Sequence, residues 1–178
     1  MSSVYLLLRT FFALVSLFFL TCFVIYRLPH PLSSINIILL TSVIYFLYKE
    51  NRGIFWFSAL FHFFLELYSI HLFGLLILSS SVALLVFFWV YKQVFTSTSW
   101  YAVSMLILFV VGVYKMVYGA LFYLQKIFFS SGQSLLFREY IVSSVQEMVY
   151  TAIAGGVVYL LIFYVILPQK KQKKIFRL

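Results

Sequence analysis

Two ionisable side chains stand out inside the long apolar runs of this chain, Glu66 and Lys115. A charge within hydrocarbon is costly and by default marks a functional site. His62 precedes Glu66 by one helical turn, so a helix places both on one face. That arrangement suits a polar pocket or a proton relay. It equally suits an interfacial carboxylate hydrogen-bonded to His62 or to the turn at Ser69 and His71. Lys115 either pairs with Glu66 across a bundle, snorkels to the interface, or ends a shorter span.

Other chemistry finds little support. His62, Glu66 and His71 are a thin metal set, because helical spacing brings His62 beside Glu66 but nothing places His71. No serine sits in a nucleophile elbow, and no phosphate loop or dinucleotide fingerprint is present. The single cysteine, Cys22, lies within an apolar run and reads as a small packing residue. An enzyme needs several polar side chains converging on a cavity. No catalytic residue, metal, cofactor or small-molecule ligand is therefore expected.

The elements that position these residues follow from composition. The chain has 178 residues, 65% of them hydrophobic and 10% charged. Soluble domains run near half apolar and a quarter charged. A soluble fold of this length cannot hide so much apolar surface, so the bilayer is the solvent. In lipid only helices and closed barrels satisfy the backbone. The near-continuous apolar runs lack the alternation of barrel strands, which leaves helices.

A bilayer core of about 30 Å takes about 20 helical residues. On that basis residues 1–168 form one transmembrane domain, an all-α bundle of about six spans. The spans fall at roughly 4–26, 32–48, 54–70, 72–91, 100–124 and 148–167. The first run lacks a small-residue cleavage site and reads as a retained span rather than a signal peptide. Ser33, Ser34 and Asn36 are good capping residues at the start of the second. Residues 125–147 are mixed and read as a loop plus an amphipathic interfacial helix. Gly155 and Gly156, with Ala152 and Ala154, let backbones approach closely and read as helix-packing positions. Residues 169–178 form a basic tail.

The net charge is +9. The basic residues lie between or after apolar runs and form no stripe on a soluble surface, which argues against nucleic-acid binding. They set topology instead. With both termini cytoplasmic, the inner side holds Lys49, Arg52, Lys92, Lys170, Lys171, Lys173, Lys174 and Arg177. The outer side holds only Arg27, Lys126 and Arg138. The tail lysines Lys170, Lys171, Lys173 and Lys174 also suit contact with anionic membrane lipid.

The stretch from Pro31 to about Leu124 resembles the bacterial rod shape-determining protein MreD family. The second span opens after a proline, as Pro31-Leu32-Ser33-Ser34-Ile35-Asn36. A basic, glycine-bearing turn follows, Lys49-Glu50-Asn51-Arg52-Gly53. Glu66 holds the place of an acid near the end of the third span. Leu72-Phe73-Gly74 holds the place of a Pro-Leu-Gly-like step, with Gly74 eight residues beyond the acid. The chain departs from the pattern at Glu66, where Asp is usual. It also departs at His62, where Gly is common, and at His71, where a small residue or Pro is common.

The resemblance implies a non-catalytic integral membrane scaffold of the cell-elongation complex that directs peptidoglycan synthesis and rod shape. It implies a bacterial cytoplasmic membrane, an MreC-like bitopic partner, an actin-like filament, and the glycosyltransferase and transpeptidase of that machine. The family is also similar in fold to the substrate-binding S components of energy-coupling-factor vitamin transporters, which supplies an alternative function. Those proteins often dock through Ala-x-x-x-Ala in the first span. Here Ala13 is followed by Leu17, so that motif is missing.

Overall fold

The structure is a computed structural model. It describes residues 32–49, 53–69, 73–93, 99–129 and 137–162, together with the isolated positions Ser16 and Pro29. The expected span 4–26 apart from Ser16, the motif residue Pro31, His71 and the tail lysines lie outside the described residues.

The regular elements of the described residues are all helices, with no strand among them. A 3-10 turn at Leu32–Ser34 leads into α1 (Ile37–Lys49), followed by α2 (Gly53–Leu67) and α3 (Leu75–Gln93). Then come α4 (Trp100–Phe129) and α5 (Phe137–Leu160). Each helix packs on the next in sequence, and α1 turns back to touch α4 and α5, which closes the bundle.

Helix α1 begins after Asn36, whose side-chain Oδ1 accepts the Leu39 N–H at 3.1 Å. This satisfies a donor that the first turn leaves without a helical partner. Helix α3 has a different kind of start. The residue before it is Gly74, whose φ of 110° favours glycine and whose carbonyl accepts the first helical hydrogen bond, from Leu78. Glycine carries no side chain to cap the helix, so the cap comes from elsewhere, as described below.

The core lies where α1, α3 and α4 meet. It contains Leu39, Val43, Phe46, Ala83, Leu84, Phe87, Leu106, Ile107 and Val110, all buried. Phe46 anchors it, packing edge-on against Phe87, Phe88 and Tyr91 at centroid distances of 5.2, 4.7 and 5.1 Å. Bulky apolar residues also cover much of the outer surface, among them Trp56, Trp89, Trp100, Met105 and Ile153. An apolar exterior around an apolar core is the pattern of a bundle dissolved in lipid.

Among the described residues three helices, α3, α4 and α5, are long and apolar enough to cross a membrane, and by length and composition they mark the chain as a membrane protein. The described helices do not support the expectation of about six spans, because those expected at 32–48 and 54–70 are too short. Helices α1 and α2 have 13 and 15 residues. At ~1.5 Å per residue they reach only about 20 and 22 Å, short of a core of about 30 Å.

Two boundaries also differ from expectation. Helix α4 runs on through Phe129, and α5 begins at Phe137 rather than Met148. Residues 137–147 therefore belong to one continuous helix and not to a separate interfacial segment. Hydropathy places the start of that run late because Arg138, Glu139, Gln146 and Glu147 depress the local average. A helix tolerates such residues where its neighbours supply partners.

Candidate functional site

The charged residues inside the described bundle lie at two places. The first is the junction of α2 and α3. Glu66, in the last turn of α2, is 4% exposed. Its Oε1 accepts the Leu76 N–H at 2.9 Å and its Oε2 accepts the Ile77 N–H at 3.3 Å. These are the second and third residues of α3, so the carboxylate does what the side chain of a capping residue does elsewhere. Its negative charge also meets the positive end of the helix dipole. Glu66 is thus the missing cap of a helix that starts on glycine.

His62 sits one turn back in α2 and is 1% exposed. Its Nδ1 donates to the Ser58 carbonyl oxygen at 2.8 Å, within the same helix. Its ring lies 6.0 Å from that of Tyr114 on α4. The structure places the Glu66 carboxylate against backbone N–H groups of α3, a partner outside both arrangements expected from the sequence. The described hydrogen bonds do not join it to His62.

The second place lies mid-way along α4. Lys115 Nζ stands 2.6 Å from Glu147 Oε2 on α5, with 18% and 17% of the two side chains exposed. The other carboxylate oxygen, Oε1, accepts from Asn36 Nδ2 at 3.0 Å. The Asn36 backbone N–H donates to Thr151 Oγ1, one turn beyond Glu147, at 2.9 Å. One carboxylate therefore joins the start of α1 to the middles of α4 and α5. Asn36 uses both ends of its amide, Oδ1 on its own helix and Nδ2 on Glu147.

Above this group α4 and α5 are fastened once more. Tyr140 Oη donates to the Lys115 carbonyl oxygen at 2.6 Å. Gly119, one turn after Lys115, gives that ring room. A Cβ at Gly119 would stand 3.0 Å from Tyr140 Cε1. Tyr118 stacks on Tyr140 at a centroid distance of 6.5 Å, and the Lys115 ammonium lies 5.7 Å from the Tyr114 ring centroid.

The pairing of Lys115 with Glu66 is thereby corrected, since the partner is Glu147. Sequence reasoning missed Glu147, Asn36 as a partner, Thr151 and Tyr140. A signal existed: Tyr140, Ser144, Glu147 and Thr151 recur at steps of four and three, the period of one helical face. That polar stripe faces α4 and α1 and was hidden by averaging over a mixed segment.

The remaining expected positions fall as follows. Gly155 lies against the Ile107 side chain and Gly156 against Ser104, both on α4. Gly53 opens α2 and Gly74 precedes α3. Among the described residues no three His, Cys, Asp or Glu side chains come together as a metal set.

Chemically, the first place binds a helix end and the second binds three helices to one another. Glu66 takes two backbone donors, and Glu147 takes one ammonium and one amide. No protein-family model matches this chain, and neither the curated proteins nor the solved structures yield a match.

Proposed function

We propose that this chain is a non-catalytic integral membrane scaffold of the cell-elongation complex in a bacterial cytoplasmic membrane. The carrying observation is how the polar groups inside the bundle are employed. Glu66 caps α3, and Lys115, Glu147, Asn36 and Thr151 bond to one another. These are joints between helices, the part a rigid platform needs. The apolar exterior of α3, α4 and α5 supplies surface for partner helices.

The elongation complex is drawn from the resemblance to the MreD family over Pro31 to about Leu124. Glu66 at the family's acidic position and Gly74 eight residues on are the residues that support it. The capping contact from Glu66 to the start of α3 gives that pair a structural meaning. The partners on this reading are membrane lipids, an MreC-like bitopic protein and the other elongation proteins. On this reading Lys92, at the end of α3, lies on the cytoplasmic side with the tail lysines Lys170, Lys171, Lys173 and Lys174.

A second reading, the substrate-binding subunit of a vitamin transporter, draws on one observation. Lys115 and Glu147 each keep a little under a fifth of their side chains exposed, so the pair is not sealed. Depletion of the protein in its host separates the two. The scaffold reading expects rods to become round while vitamin uptake persists. Intact rods that no longer take up one vitamin would overturn it in favour of the transporter.

A further inference from the structure

The helices of this bundle differ in how well lipid alone can hold them. Helices α4 and α5 are long enough to span, but each carries a mid-helix charge, Lys115 or Glu147. Either charge alone in hydrocarbon is strongly unfavourable, and together they compensate. Helices α1 and α2, at 13 and 15 residues, are too short to span by themselves. The start of α1 is held by Asn36, through Glu147 Oε1 and Thr151 Oγ1, both on α5.

We infer that the bundle consolidates against the order of the chain, with the α4–α5 hairpin forming first as a charge-paired unit and α1 docking afterwards on the Glu147–Thr151 surface it creates. Lys115 has two parts in this sequence. It neutralises Glu147 so that α5 is stable beside α4, and it fixes the carboxylate so that Oε1 faces α1. Tyr140 on the Lys115 carbonyl, the room at Gly119 and the close approach at Gly155 complete the hairpin without any group from α1. Asn36, by contrast, has its own helix to cap but no bond to another helix until Glu147 and Thr151 are in place. The inference concerns how the domain is built and holds whatever partner the bundle serves.

The hierarchy is tested in the full chain with Cys22→Ala and single reporter cysteines in membrane vesicles, read by a membrane-permeant maleimide. Ser42→Cys reports on α1, where Ser42 is buried. Ala152→Cys reports on the α4–α5 interface, because Ala152 is buried one turn from both Met148 and Gly155, which face α4. Asn36→Leu is expected to raise labelling at Ser42→Cys about tenfold while leaving Ala152→Cys protected. Lys115→Met is expected to expose both reporters. Lys115→Met with Glu147→Met removes both charges and is expected to protect Ala152→Cys again while Ser42→Cys stays labelled. Exposure of Ala152→Cys by Asn36→Leu, its continued protection in Lys115→Met, or its failure to recover in the double variant would each overturn the inference. The double variant keeps the test decisive if a single variant fails to accumulate.

Discussion

Lys115 and Glu147 meet at 2.6 Å in the middle of two successive helices, and Asn36 at the head of a third helix completes the contact on the other carboxylate oxygen. A pair of this kind is worth little against a well-packed apolar replacement. It is costly to break from one side, because the survivor is left charged and without its partner. That asymmetry governs the first prediction.

Lys115→Met and Glu147→Gln each destabilise the bundle, by about 3 kcal/mol for the lysine change, less for the glutamine because its amide still bonds Asn36. Removing both charges together costs much less than the sum of the single changes. Unfolding of the purified protein in mixed micelles checks this through a double-mutant cycle. Additive losses would mean that the two residues do not act as a pair.

Glu66→Ala leaves the N–H groups of Leu76 and Ile77 without their acceptor. The expected loss is about 1–3 kcal/mol. Glu66→Gln keeps one acceptor oxygen and loses the charge at the helix end, so it falls between the natural protein and Glu66→Ala. Thermal unfolding in detergent ranks the three. Equal stability of Glu66→Ala and the natural protein would refute the capping role.

Gly74→Ala strains the residue just before α3 through backbone conformation rather than crowding. The nearest side-chain atom to a Cβ there is Leu78 Cδ1, at an ordinary 3.8 Å. A φ of 110° on an alanine costs on the order of 1–3 kcal/mol. Reducing the bulk of Leu78 in the same chain should give no relief, and relief would show that the cause is steric.

Gly155→Ala is expected to be worse than Gly112→Ala. The new methyl at Gly155 runs into Ile107, which is fully buried and has nowhere to go. At Gly112 it meets the Met148 methyl at 2.9 Å, the far end of a flexible and only partly buried side chain. The difference is about 1–2 kcal/mol by the usual penalty for overpacking. Ile107→Val should restore part of the loss in Gly155→Ala and none in Gly112→Ala, as measured by the same unfolding experiment.

Much of the architecture could be read along the chain. The apolar runs dictate helices in lipid, because nothing else satisfies their backbone there. The starts of α2 and α4 fall within a residue of expectation, since Gly53 and Ser99 interrupt the runs abruptly. Asn36 is a capping residue by type and caps α1 in fact. Glu66 and Lys115 stand out by their charge in apolar surroundings. Local sequence determines such features because each depends on neighbours a few residues away.

Tertiary structure decided the rest. Which carboxylate Lys115 meets depends on how α4 lies against α2 and α5, and no spacing along the chain records it. The length of α5 was hidden for the same reason: hydropathy counts Glu147 as a charge whether or not a lysine answers it. The capping of α3 by Glu66 needed the turn through Gly74 to fold one helix end onto the next. Sequence determined which segments are apolar helices, through solvation of the backbone and side chains residue by residue. Only packing decided which polar groups meet inside it, because those contacts join residues far apart in the chain.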